Sequence, residues 1–470
     1  AKGSLKSKIG LFRLPSVYSA DCKTCLPNRL QNRQQKSPKI TTPSIRHNHY
    51  NPNKFLHSTR KIAMSLTPIA ELQTIIQTHI AHCPLALGGE SVALAQAAGR
   101  VLAQDIVAPV SIPSSNVSAM DGYALAQATP AQSSLKIVGE SAAGKPFTGS
   151  LKAGECIRIM TGATVPACCR TVIIQENVIR NGDNIVLQQD APDAANIRYA
   201  GEEIQAGQTL FAAGRILRHA DIMVLAAQGI GSVLVQRKLR IGILSTGNEL
   251  VEAGNPIAAH QIYDSNRPML HSKLRDCPAD IIDLGKLPDS LASTVQMLHQ
   301  AAEQSDVVIT SGGVSVGDYD YLRQAVAQVG TIHHYKVAMK PGKPFVFGQL
   351  GSAWYFGLPG NPVSGFVGFD LFIRAALWQI AGATPIPQPL RFQAALTRNV
   401  KKAAGRADIQ RTIISQNSDG TWQATPTGKQ DSHRILGVSQ ANAYMILPQE
   451  RGDLAAGEMV TVQPLHEAFL

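Results

Sequence analysis

The chain has 470 residues, 44% of them hydrophobic, enough length and apolar content for several domains with separate cores. Its net charge of +11 would point to nucleic acid, but the first 63 residues carry 13 Lys and Arg against one acid, Asp21, leaving the remainder near −1. Neither nucleic acid nor a membrane is expected as a partner, the latter because no apolar run approaches the roughly 20 residues a spanning helix needs.

Residues 1–63 contain no methionine, no long apolar run and no periodicity. They read as a disordered basic tail that is not native, with Met64 as the natural start; an organelle transit peptide and a genuine disordered arm are the alternatives. The lone Cys22-Lys-Thr-Cys25 in this tail has no second pair at zinc spacing and is expected to be incidental. The odd total of seven cysteines forms no framework, which suits a reducing compartment and a cytoplasmic location.

Thr67-Pro68 opens a helix to about His79, and Val92 to Pro113 reads as a short helix and an extended connection. Residues 64–110 are expected to join 200–238, where an apolar helix from about His219 to Ala227 stops at Gly229, in a discontinuous linker domain. Between them, 111–199 holds short alternating runs, Leu135–Val138, Cys156–Met160, Thr171–Ile174 and Asn184–Leu187, with a hairpin turn at Asn181-Gly182-Asp183. That is a small β domain.

In 239–387, buried strands (Arg240 to Ser245, Asp280 to Leu284, Asp306 to Thr310) alternate with helical patterns. The order implies a central three-layer α/β domain with a mostly parallel sheet, whose ligands gather outside the C-terminal strand ends. A long apolar helix from Val363 to about Ile380 and a proline-rich linker then lead to 388–470, a C-terminal β-barrel-like domain. The fold class is multidomain α/β plus β.

Chemistry is expected at the strand-end loops. Ser311 to Asp318 places Gly312, Gly313 and Gly317 between a buried strand and a helix, so backbone can approach a phosphate; Ser315 and Asp318 belong to the same loop. Asp318 and Asp320 suit a metal ion bridging phosphate oxygens. Lys336, Lys340 and Lys343 surround Pro341-Gly342 and Pro344, holding cations in a stiffened loop fit for an oxyanion. Leu358-Pro359-Gly360-Asn361-Pro362 repeats the rigid Pro-Gly chemistry, with Pro362 in a first helical turn and Asn361 at its N-cap. Ser118 to Ala124, Met160 to Ala163 and Glu202-Glu203 lie outside the sheet and share its function only if the β domain, of this subunit or a second, faces it.

Taken together and in this order from about Met64, these motifs resemble the MoeA family, the molybdopterin molybdenumtransferases. The matching runs are Ser118 to Ala124, Arg158 to Ala163, Ser245 to Leu250, Ser311 to Asp320, Lys340 to Pro344, Leu358 to Pro362 and Gly428 to His433. The resemblance implies an elongated homodimer that binds adenylylated molybdopterin and inserts molybdate into its dithiolene with release of AMP. It implies Mg2+ as the metal, with Glu249, Asp289 and Asp320 holding it or orienting the cofactor, and Asp121 and Thr161 reaching in from the β domain. Lys336, Lys340, Lys343, Arg411 and Ser432 would surround molybdate and phosphate, and the molybdopterin adenylyltransferase is a candidate further partner. Glu203 departs from the family's usual Asp, so its reach differs by one methylene.

Two other classes fit less well. A scaffold descended from this architecture has no need of the retained Lys and Asp chemistry. An enzyme that adenylylates molybdopterin through the same α/β module has no use for four domains or for the Lys340 to Pro344 loop.

Overall fold

The computed structural model describes residues 66–287, 290–314 and 321–465. The basic tail with Cys22 and Cys25, and the candidate residues Asp289, Ser315, Gly317, Asp318 and Asp320, lie outside the described residues.

The largest core forms around a six-stranded sheet in the order Ala279–Lys286, Leu239–Ser245, Val307–Ser311, Ala353–Leu358, Pro344–Leu350 and Gly330–Lys336. The first four strands are parallel, and every residue of Val307–Ser311 is buried, as a strand covered on both faces requires. On one face, Ile241, Ile309 and Phe356 pack against Leu270, Val363 and Val367, with Leu72, Ile76 and Ile80 of the first helix, Ile69–His82. On the other, Leu244, Val308 and Tyr355 meet Leu298 and Ala301 of Leu291–Gln304 and Leu322 and Val326 of Tyr321–Val329. This is the expected three-layer domain.

The sheet ends in an antiparallel pair, Gly330–Lys336 with Pro344–Leu350. The second of these strands is not among the sequence expectations, because Pro344 reads as a loop stiffener. At a strand's first residue, however, proline forfeits little, and Phe345 and Phe347 behind it are fully buried.

Helix Pro362–Ile380 runs 19 residues with a π turn at Phe369–Ile373. It is the one described helix long and apolar enough to cross a membrane. Val363, Val367, Phe369 and Leu377 all lie in the sheet core, so it is a core helix of the α/β layer.

The C-terminal strands close into a barrel. Ala407–Gln416 pairs with both Trp422–Pro426 and Ala443–Leu447, and Phe392–Leu396 and Met459–Pro464 complete the ring. Met339–Lys340, from the α/β domain, adds in parallel to Ala407–Asp408. The small β domain is a third six-stranded sheet, turning at Gly182 with φ +61° between Val178–Asn181 and Asn184–Leu187. Gly89–Ala93 pairs with Ser232–Gln236, tying two distant stretches together.

Just before Val307–Ser311, Asp306 accepts from Arg237 (2.6 and 2.9 Å) and from the Arg240 backbone N–H and guanidinium (2.8 and 3.0 Å). Burial pushes the Asp306 carboxyl up, but these arginines outweigh it and hold it at about 2. A depressed carboxyl stabilises the fold above its unfolded value near 4 and loses that contribution as pH falls toward 2. The stability gap between wild type and Asp306→Asn is therefore expected to be about 2 kcal/mol at pH 6. Urea unfolding repeated at pH 3 should show it shrinking; a gap that stays constant would contradict the assignment.

Candidate active site

The chain leaves Leu239–Ser245 for one neighbour and returns to Val307–Ser311 on the other side. The strand order reverses there, and a crevice opens beyond the C-terminal ends. Three loops meet at that edge. Thr246 N–H donates to the Ser311 carbonyl (2.9 Å), and Gly312 N–H donates to the Leu358 carbonyl (2.9 Å).

The glycines are required by this closeness. Gly312 has φ +91°, and a Cβ on it would stand 2.5 Å from Thr246 Oγ1 and 2.9 Å from the Thr246 carbonyl oxygen. Because its N–H is spent on Leu358, Gly312 serves loop packing rather than donating to an anion. Gly313, at φ +66°, abuts Leu322. Gly312→Ala combines left-handed backbone with a collision against a neighbouring loop, so it is expected to cost about 2 kcal/mol or more and to lose ligand binding at this edge. Unfolding and binding titrations of the variant check this.

Glu249 follows Leu239–Ser245 at the same edge. Its carboxylate folds over Gly247, within 2.6 Å of where a Cβ would be, and it is exposed with no ion pair among the described residues. A free carboxylate is hard-oxygen chemistry suited to Mg2+. It is the single described member of the expected metal set, and no group of three metal-ligating side chains occurs among the described residues.

Lys336 and Lys343 bracket one turn, with the Val337 N–H donating to the Lys343 carbonyl (3.0 Å). Lys340 and Lys343 are exposed and Lys336 is half-buried beside the Tyr335 ring; none has an ion pair among the described residues. Gly342, at φ +100°, brings this turn against Ser364, a Cβ there lying 3.7 Å from the Ser364 carbonyl oxygen. Pro362 opens that helix as expected, and Asn361 occupies its N-cap position without a side-chain capping bond. Capping therefore does not account for Asn361.

Ser432 arrives from the barrel, where its carbonyl accepts from Val363 N–H (3.3 Å). Arg411 holds that loop: the residue is 1% exposed, and its guanidinium donates to the carbonyls of Gln430 (3.0 Å), Lys429 (3.3 Å) and Asp431 (3.2 Å). Ser311 is likewise turned inward, its hydroxyl accepting from Asn266 (2.7 Å). Pro359 is buried and Gly360 exposed. The lysine turn, the Leu358 to Pro362 loop and the Ser432 loop thus all meet at the start of one helix.

Asp121 and Thr161 form a separate cluster in the small β domain. Asp121 accepts from the Thr161 N–H (2.7 Å) and hydroxyl (2.8 Å), and these two bonds, with Arg158 nearby, hold its carboxyl below the ordinary range. Every hydrogen bond shown for this pair stays within that domain. Sequence reasoning missed Asn266, although Asp264-Ser265-Asn266, leading into a helix that begins at Asn266, carries the signal of a polar strand-end turn.

Three family models match the chain: "MoeA N-terminal region (domain I and II)" over 67–229, "Probable molybdopterin binding domain" over 242–379, and "MoeA C-terminal region (domain IV)" over 393–465. The molybdopterin molybdenumtransferase of Haemophilus influenzae is 41% identical over 375 residues, 79% of this chain and 93% of its own length. Molybdopterin molybdenumtransferase 2 of Mycobacterium tuberculosis is 34% identical over 387 residues, 80% of this chain and 95% of that protein. Among solved structures, the molybdopterin biosynthesis moeA protein of Pyrococcus horikoshii OT3 matches with a TM-score of 0.73 at 28% identity, covering 85% of this chain and all of that one (100%).

Proposed function

Because the chain belongs to the MoeA family, the molybdopterin molybdenumtransferases, we propose that it inserts molybdenum into molybdopterin where the lysine turn, the Leu358 to Pro362 loop and the Ser432 loop converge. That convergence carries the reading, since Gly342 and Ser432 meet successive residues, Ser364 and Val363, of one helix start. The substrate is adenylylated molybdopterin, and AMP is released as molybdate enters the dithiolene.

Molybdate, dithiolene and pyrophosphate are all anionic and must be held together. Lys336, Lys340 and Lys343, cations without ion pairs among the described residues, offset that repulsion and stabilise charge developing on the phosphate. Arg411 fixes the loop that presents Ser432. Glu249, Asp289 and Asp320 would hold Mg2+, which supplies further positive charge against the pyrophosphate. The loop residues Ser311, Gly312, Gly313, Ser315, Gly317, Asp318, Pro359, Gly360 and Pro362 shape the crevice for the cofactor.

In this reading 64–110 with 200–238 is the linker domain, 111–199 the small β domain, 239–387 the molybdopterin-binding domain and 388–470 the C-terminal domain. The chain works in the cytoplasm as a homodimer, Asp121 and Thr161 reaching the crevice of the second subunit, and receives its substrate from the molybdopterin adenylyltransferase. A nucleotide assay separates this from adenylylation: the chain should release AMP from adenylylated molybdopterin when molybdate is added. Consumption of ATP with bare molybdopterin would overturn it.

A further inference from the structure

Asn266 is buried, 7% exposed, at the start of helix Asn266–Leu274. Asp264 fixes its backbone, Oδ1 accepting from the N–H groups of Asn266 and Arg267 (both 3.1 Å). From there its Nδ2 donates twice, to Ser311 Oγ (2.7 Å) and to the Gly360 carbonyl (2.8 Å). One amide group therefore spans two loops of the crevice, one following Val307–Ser311 and the other following Ala353–Leu358.

The acceptor side of the same amide, Oδ1, is enclosed and has no hydrogen-bond partner among the described residues. Leaving a buried acceptor unsatisfied costs about 1–3 kcal/mol, which offsets the roughly 0.5–1.5 kcal/mol that each donated bond returns, so stability alone does not account for Asn266. What an apolar residue cannot supply is the pair of donors. Gly360 approaches Gly312 closely, a Cβ on Gly360 standing 3.6 Å from Gly312 Cα, so small changes in loop separation alter the width of the crevice.

We infer that Asn266 is a positioning residue for molybdenum insertion, its amide setting the separation of the Ser311 and Gly360 loops to match the bound pterin phosphate. The inference rests on the reading that the substrate occupies this crevice. Asn266 acts through the loops, so its loss should weaken substrate binding in ground and transition states alike, raising KM with little change in kcat.

The test uses the full chain with adenylylated molybdopterin and molybdate, following AMP release from pH 6 to pH 8. Asn266→Leu, which fills the site without donors, should raise KM about tenfold, the equivalent of one or two lost hydrogen bonds. Asn266→Asp should show a raised KM at pH 8 that falls back as pH drops, because the introduced buried carboxyl takes up a proton it can donate. A residue serving only as packing would not give a pH-reversible KM. If Asn266→Leu does not fold, Ser311→Ala removes one of the two bonds and should raise KM in the same direction by a smaller factor. Unchanged KM in the Asn266 variants while wild type turns over would overturn the inference and leave the function standing. Wild type releasing no AMP would instead fail the function on which it rests.

Discussion

Lys340→Ala is expected to lower the rate of molybdenum insertion about 100- to 1,000-fold, the cost of removing one preorganised charge from a developing oxyanion. The side chain is exposed and has no ion pair among the described residues, so its truncation breaks no contact that the fold uses. Its backbone stays held by the pairing of Lys340 with Asp408 and by the turn at Gly342. The melting temperature should therefore remain within a degree or two of wild type (a shift under about 0.5 kcal/mol). Turnover assays beside a melting curve check both halves. Full activity in the variant would remove the lysine turn from the site.

The largest effect on stability is expected at Asp370, in the π turn of the core helix. Lys273 Nζ donates to both its oxygens (2.9 and 2.8 Å), Tyr444 of the barrel donates to one (2.7 Å), and Arg374 adds a bond at 3.3 Å. The Lys273 and Asp370 side chains are 6% and 7% exposed. Asp370→Asn keeps the shape and deletes the charge, stranding a buried ammonium beside a guanidinium at a cost of about 3–5 kcal/mol. The Phe366 ring, 3.4 Å from Nζ, recovers a fraction of this. Tyr444→Phe, which removes one neutral donor, should cost only about 1.5 kcal/mol. Chemical denaturation of both variants distinguishes them; equal costs would show that the carboxylate is not neutralising Lys273.

The parts of the fold that repeat with strand or helix period were legible in the sequence. Val307–Ser311 opens on three apolar β-branched residues, Val307 to Ile309, His219–Ala227 ends at a glycine stop, and Asn181-Gly182-Asp183 marks its hairpin. Pro344–Leu350 was not legible, since a proline-led strand antiparallel to its neighbours breaks the βαβ pattern. The candidate site was legible as loops but not as roles. Charge and glycine content expose Lys340 and Gly312, whereas whether Arg411 or Ser311 faces a ligand or the interior depends on contacts 19 and 45 residues away. The turn at Asn266 had a local signal, but its bridging role stayed hidden for the same reason, both of its partners being distant in sequence. The barrel's attachment through Met339–Lys340 is likewise a pairing between residues with no local signature.

Diffraction from crystals soaked in molybdate, recorded at the molybdenum absorption edge, tests the central claim most directly. An anomalous peak within contact distance of the Lys340 to Lys343 turn and Ser432, beside the loop held by Arg411, is the predicted result. A peak elsewhere, with these groups unliganded at saturating molybdate, would contradict it.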